Sequence, residues 1–67
     1  MNVSVNGSPA PLPSPATLGA LVAAMTGTAA RGIAVALNGE VVPRSAWDAT
    51  GLEPGDRVEV LTAAQGG

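Results

Sequence analysis

Ile33-Ala34-Val35-Ala36-Leu37-Asn38-Gly39-Glu40-Val41-Val42-Pro43 is the stretch on which the fold turns. Ile33, Val35 and Leu37 alternate with alanines, the period of a strand with one buried face. Asn38-Gly39 follows, and both residue types accept the positive φ that a two-residue hairpin turn demands. Glu40-Val41-Val42 is therefore expected to return as a short antiparallel strand, stopped by Pro43, which cannot donate to a ladder. Just beyond it, Ser45 is placed to cap a single turn containing Trp47.

The same signals recur on either side. Val3 and Val5 alternate with Asn2, Ser4 and Asn6, and Asn6-Gly7 is a second hairpin signal. The return stretch carries Pro9, Pro11, Pro13 and Pro15, all at odd positions. Backbone N–H groups two residues apart point to one side of a strand, so the missing donors would all lie outward. Ala10 and Leu12 would keep theirs toward the first strand. That describes an edge strand whose outer side cannot template another chain; the alternative is a polyproline-like loop. Thr17 is expected to cap a helix whose Leu18, Leu21, Val22 and Met25 form one buried face, with Gly27 ending it. Glu53-Pro54-Gly55-Asp56 is a turn, with Asp56 bonding local backbone. Val58 and Val60 then form the buried face of a last strand, leaving Arg57, Glu59 and Leu61 on the other face.

The order is ββαβββ. One helix packed on one face of a mixed sheet is the economical α+β arrangement. The connection over the helix is long enough to bring the last strand beside the first and parallel to it. That is the ubiquitin-like β-grasp. The domain is expected to span residues 1–63, with residues 64–67 as a flexible tail leaving from a central strand. Five residues from Ala63 to Gly67 would reach ~17 Å when extended.

Composition narrows what such a domain does. With 67 residues it is one domain with a thin core. It has no cysteine and no histidine, which removes disulfides, thiol chemistry, Cys/His metal sites and histidine-activated nucleophiles. Arg31, Arg44 and Arg57 are scattered, lysine is absent and Trp47 is the sole aromatic, so a nucleic-acid role is not expected. No apolar run approaches a membrane span and no signal peptide is evident, so the expected location is the cytoplasm. The acids Glu40, Asp48, Glu53, Asp56 and Glu59 show no pairing suited to acid–base work, and the region of Gly27 and Gly32 lacks a P-loop lysine. No active site of its own is expected.

That leaves Gly66-Gly67. With 9 glycines in 67 residues, composition alone yields such a terminal pair at about 2%, so the motif is weak without the fold. On a β-grasp body it acquires a chemical reading. A carboxylate is a poor electrophile and must be activated, typically as an acyl-adenylate in another protein's ATP site. Glycine lacks a Cβ, so a narrow channel can close on the backbone and hold the reacting carbon in line. Attack by sulfur makes a sulfur carrier; attack by an amine makes a protein tag.

The chain resembles the ThiS family, the bacterial sulfur carriers of thiamine biosynthesis. The resemblance covers nearly the whole chain. It is carried by Val5-Asn6-Gly7, by Thr17-Leu18-x-x-Leu21, and above all by the stretch from Ile33 to Trp47 with its Val42-Pro43-Arg44-x-x-Trp47 element. Leu52, Gly55-Asp56 and Gly66-Gly67 are shared more broadly among sulfur carriers. The density of prolines after Gly7 departs from the family. The resemblance implies that a ubiquitin-E1-like (ThiF-like) adenylyltransferase uses ATP and Mg²⁺ to activate the Gly67 carboxylate. A donor such as a cysteine desulfurase then supplies sulfur, forming a thiocarboxylate, and a ThiG-like thiazole synthase consumes it. Gly67 is then the modified residue, Gly66 gives steric clearance, and Ala64, Gln65 and Gly66 thread into the partner. The chain would be a monomeric cosubstrate rather than an enzyme, binding no cofactor itself.

Leu61 is the one large apolar side chain expected outward near the tail, beside Arg57 and Glu59. An apolar group rimmed by charge suits a transient interface; a solitary exposed leucine is the alternative. Trp47 is expected to cover one end of the core, its indole N–H needing a partner. Arg44 either contacts a partner or caps local carbonyls. Other readings of the chain are a MoaD-like or other carrier serving molybdopterin, cysteine or secondary metabolites, a ubiquitin-like modifier, and a plain interaction module with an incidental Gly-Gly.

Overall fold

Asn38 and Gly39 take φ of 51° and 89°, so the turn that decides the fold forms as a two-residue hairpin with Leu37 opposite Glu40. The structure, a computed structural model, describes residues 1–26 and 32–62. The expected helix stop at Gly27, the boundary between residues 63 and 64 and the tail itself lie outside the described residues.

The elements are β1 (Asn2–Val5), β2 (Ser8–Pro11), α1 (Leu18–Thr26), β3 (Ile33–Leu37), β4 (Glu40–Val42), a 3-10 helix (Arg44–Ala49) and β5 (Arg57–Thr62). The sheet order is β2-β1-β5-β3-β4. β5 lies in the middle, parallel to β1 and antiparallel to β3. This is a small mixed sheet with one helix, the ubiquitin-like β-grasp.

Of the four prolines after the first turn, Pro9 and Pro11 sit in an edge strand, and Pro13 and Pro15 lie past its end. Asn6 and Gly7 adopt φ of 51° and 87°, which sets Val5 opposite Ser8 and Val3 opposite Ala10. The Leu12 N–H donates to the Met1 carbonyl at 2.7 Å, and the Met1 amino group donates to the Leu12 carbonyl at 2.7 Å. Bonded pairs therefore fall on even positions of β2, and Pro9 and Pro11 turn their donor-less nitrogens outward. Ser8–Pro11 is thus a strand and not a polyproline-like loop.

Thr17 caps α1: its Oγ1 accepts the Ala20 N–H at 3.1 Å. A short bridge pins this helix start, with the Leu18 N–H on the Thr50 carbonyl and the Leu52 N–H on the Ala16 carbonyl. Val3, Leu18, Leu21, Val22, Val35, Trp47, Leu52 and Val58 form the buried core, and Val60 and Leu37 pack on its margin. Gly19 is buried against Asp48, where an added Cβ would strike the carboxylate, so the missing side chain lets α1 approach the 3-10 helix.

Two local expectations are corrected. Met25 is 46% exposed rather than core. The 3-10 helix abuts the first turn of α1, through Gly19 and Asp48, and Met25 lies on the last turn, past that cover. Ser45 caps nothing: the 3-10 helix starts at Arg44, Pro43 occupies the cap position without a side-chain bond, and Ser45 lies inside. Proline's fixed φ suits the start of a helix, here −64°, so no hydroxyl is required.

Trp47 behaves as expected. It is buried, and its indole N–H donates to the Val42 carbonyl at 2.9 Å, tying the 3-10 helix to the end of β4. Asp56 accepts the Glu53 N–H at 2.8 Å across a turn in which Gly55 has φ 87°. Its other carboxylate oxygen accepts from the Asn38 amide, whose own oxygen accepts the Arg57 N–H at 2.9 Å. The first residue of β5 is thereby tied to the β3–β4 turn. Among the described residues, no buried side-chain polar atom lacks a hydrogen-bond partner, and no helix is long and apolar enough to cross a membrane.

Candidate functional site

β5 is described through Thr62 and lies in the middle of the sheet, so the residues after Thr62 follow a central strand. The period of two places Val58 inward, buried, and Val60 half-buried behind it. Arg57, Glu59 and Leu61 are exposed on the face opposite the helix, with Leu61 68% exposed.

Leu61 is not the one large apolar group on this face. Val41, on the neighbouring edge, is 75% exposed. Ala34 stands opposite Leu61, and Ala36 stands opposite both Glu59 and Val41. Alanine is short, so β3 forms a floor between the taller side chains. The result is a depression of about 100 Å³ lined by Ala34, Val35, Ala36, Val41, Glu59 and Leu61. A second hollow, bordered by Ser4, Gly7, Arg57, Val58 and Glu59, lies on the β1 side. Glu59 borders both.

The sequence contained the signal for Val41. A two-residue turn at Asn38-Gly39 forces Leu37 opposite Glu40 and hence Ala36 opposite Val41. Ala36 has the opposite parity to buried Val35, so Val41 must face outward. The residues of β4 do not alternate with polar ones, which hid this.

The β1 side of the site depends on a side chain. β1 ends at Val5, and the chain turns away at Asn6 with the Asn6 N–H still bonded to the Val58 carbonyl at 2.9 Å. One step further along β5 no backbone partner from β1 remains. There the Asn6 side chain takes over. Its Oδ1 accepts the Val60 N–H at 2.8 Å, and its Nδ2 donates to the Val60 carbonyl at 3.2 Å. The amide imitates the donor and acceptor of a continuing strand. The Asn-Gly signal marked the turn; the contact is made 54 residues along the chain, and no local pattern encodes it.

Ala64, Gln65, Gly66 and Gly67 lie outside the described residues. Arg44 is exposed at the start of the 3-10 helix and is not adjacent to this face in register. Among the described residues no group of three or more acids is placed to hold a metal ion. The arrangement is an apolar depression bordered by Glu59 on the outer face of the central strand.

The sequence model of the ThiS family matches residues 3–67. Among solved structures the chain is similar to the crystal structure of the thiamine biosynthesis protein ThiS from Geobacter metallireducens. That match has 39% identity and a TM-score of 0.80, covering 92% of this chain and 93% of that one. It is also similar to the NMR solution structure of a thiamine biosynthesis protein from Geobacter metallireducens, at 40% identity and a TM-score of 0.76, covering 91% and 81%. No curated protein matches the chain. A family match running from β1 through the Gly66-Gly67 end, on a body with the same backbone course as these structures, shows that the chain belongs to the ThiS family.

Proposed function

We propose that this chain is a sulfur carrier that delivers sulfur for thiazole formation in thiamine biosynthesis, with Gly67 as the residue that bears it. The observation that carries the reading is the family match extending through residue 67 on a sheet whose central strand leads to that end. In the first step an oxygen of the Gly67 carboxylate attacks the α-phosphorus of ATP, and pyrophosphate leaves. An E1-like, ThiF-like partner supplies the ATP site and the Mg²⁺. In the second step a sulfur nucleophile attacks the acyl carbon and displaces AMP. If the nucleophile is a persulfide on a cysteine desulfurase, a thiol then cleaves the S–S bond to leave the thiocarboxylate. A ThiG-like thiazole synthase withdraws the sulfur, and the carrier returns as a carboxylate. All of this chemistry takes place on partners in the cytoplasm, and the chain acts as their monomeric cosubstrate.

The part left to this chain is docking and delivery. The depression between Leu61 and Val41 is proposed as the apolar anchor, with Glu59 at its rim and Arg57 beside the second hollow that Glu59 also borders. The tail from Ala64 to Gly66 is proposed to thread into the partner, glycine at 66 leaving room for the channel wall. The reading is tested by ATP–pyrophosphate exchange with the activating enzyme of the same organism. Exchange that requires this chain is expected; no exchange with an enzyme active on another carrier would contradict the reading. Leu61→Asp is expected to raise the KM for the carrier about tenfold or more, since an exposed apolar anchor is replaced by a solvated charge. Urea unfolding of the same variant is expected to show a loss of at most about 1 kcal/mol, because Leu61 lies outside the core. An unchanged KM would remove Leu61 from the interface.

A further inference from the structure

We propose that Asn6 is a positioning residue for the C-terminal residues: its side-chain amide, standing in for the strand that β1 no longer provides, holds the β1-side edge of β5 at Val60, just before residues 63–67. The inference rests on the sulfur-carrier reading and names the residue that sets the delivery geometry.

β5 is held on two sides, and the two sides end at different places. On the β3 side the register continues through Ala34 opposite Leu61 and Ile33 opposite Thr62. On the β1 side the backbone contacts run from the Ser4 N–H on the Asp56 carbonyl to the Asn6 N–H on the Val58 carbonyl. They stop there, because Gly7 carries the chain into the turn with φ 87°. Val60 is the next residue of β5 whose N–H and carbonyl point that way, and the Asn6 amide satisfies both. A primary amide suits this task because it offers one acceptor and one donor with the spacing of a peptide group. Asparagine also tolerates the φ of 51° found here. Without the amide, the stretch of β5 from Val60 onward would be held from β3 alone. An unpaired strand edge frays, and the tail would start from a mobile point rather than a fixed one. A tail that must place one carbon in line inside a partner's ATP site loses productive encounters when its origin moves.

The structure contains its own control. Asn38 makes a parallel set of bonds at the opposite end of β5, holding the Arg57 N–H and the Asp56 carboxylate. It has the same φ of 51° and also precedes a glycine. Replacing either asparagine by glycine keeps the turn conformation accessible and removes the amide, and the freedom glycine adds to the unfolded chain is common to both variants. The two variants thus lose similar hydrogen bonds from one strand, one at the tail end and one far from it.

The test compares the full-length wild type, Asn6→Gly and Asn38→Gly by NMR amide hydrogen exchange and by steady-state adenylation with the partner activating enzyme. For Asn6→Gly, exchange of the Val60 amide is expected to speed up about tenfold relative to that of the buried Val58 and Val35 amides. Its KM for the carrier is expected to rise about tenfold, by loss of tail preorganisation. For Asn38→Gly the faster exchange is expected at Arg57, with KM within about twofold of wild type because the tail end stays paired. If both variants shift KM equally, or if Val60 exchange is unchanged in Asn6→Gly, the positioning role is overturned while the carrier reading stands. If the wild type is not adenylated at all, the carrier reading falls and takes the role with it.

Discussion

Deletion of Gly67 is expected to abolish adenylation and sulfur loading while leaving the folded domain unchanged. The carboxylate would then sit on Gly66, drawing the reacting carbon back by about 3.3–3.6 Å, the advance of one extended residue. Misplacing a reacting atom by ~1 Å already costs about 100-fold in rate, so a full residue should remove measurable turnover. Among the described residues the buried core lies between Val3 and Val58, and a glycine has no side chain to withdraw from it, so the truncation is expected to leave packing unchanged. Chain-dependent ATP–pyrophosphate exchange and thermal unfolding separate the two effects. Loss of exchange at an unchanged Tm is the expected result. Retained exchange would show that Gly67 is not the activated residue. A lowered Tm would show that the end of the chain contributes to the fold.

The second large effect concerns Leu18, which is 0% exposed at the start of α1. Leu18→Ala is expected to cost about 2–5 kcal/mol, from lost transfer free energy plus the cavity left behind. A chain of 67 residues has a total stability of about 3–10 kcal/mol by the usual per-residue range. The substitution therefore removes about half of it. The site has little freedom to collapse, because the backbone of Leu18 is itself pinned by the Thr50 carbonyl and Thr17 caps the turn above it. Trp47 belongs to the same buried cluster and is the only aromatic residue, so its fluorescence reports unfolding directly. The variant is expected to show a urea transition, followed by tryptophan fluorescence, displaced to markedly lower urea. A cost below about 1 kcal/mol would mean that the helix does not hold the sheet through this residue.

Most of the fold was legible because it is encoded locally. The alternation from Ile33 to Leu37, the two Asn-Gly turns and the cap at Thr17 each state a conformation within a few residues. The proline spacing after Gly7 was legible through one geometric fact, that alternate strand nitrogens face alternate sides. What escaped was set by neighbours distant in sequence. Met25 fits the helical period, yet which turns of α1 are covered depends on the 3-10 helix. Ser45 is a good cap residue, and Pro43 reached the helix start first. The outward position of Val41 followed from register and was obscured by the apolar run around it. The Asn6 amide bonds a strand 54 residues away, a contact that only the assembled sheet creates. The outward placement of Arg57, Glu59 and Leu61 was legible from strand period alone. Which partner would meet that face on the proposed reading is set by the partner's own surface, which leaves no pattern in this chain.

The central claim is that the chain carries sulfur on its terminal glycine, and intact mass measurement tests it most directly. The protein is incubated with its activating enzyme, ATP, Mg²⁺ and a persulfide donor, then weighed whole and after fragmentation. The account predicts a mass gain equal to one oxygen replaced by sulfur, localised to Gly67 and absent when ATP is omitted. An unchanged mass with partner enzymes proven active, or a gain localised elsewhere in the chain, would contradict it.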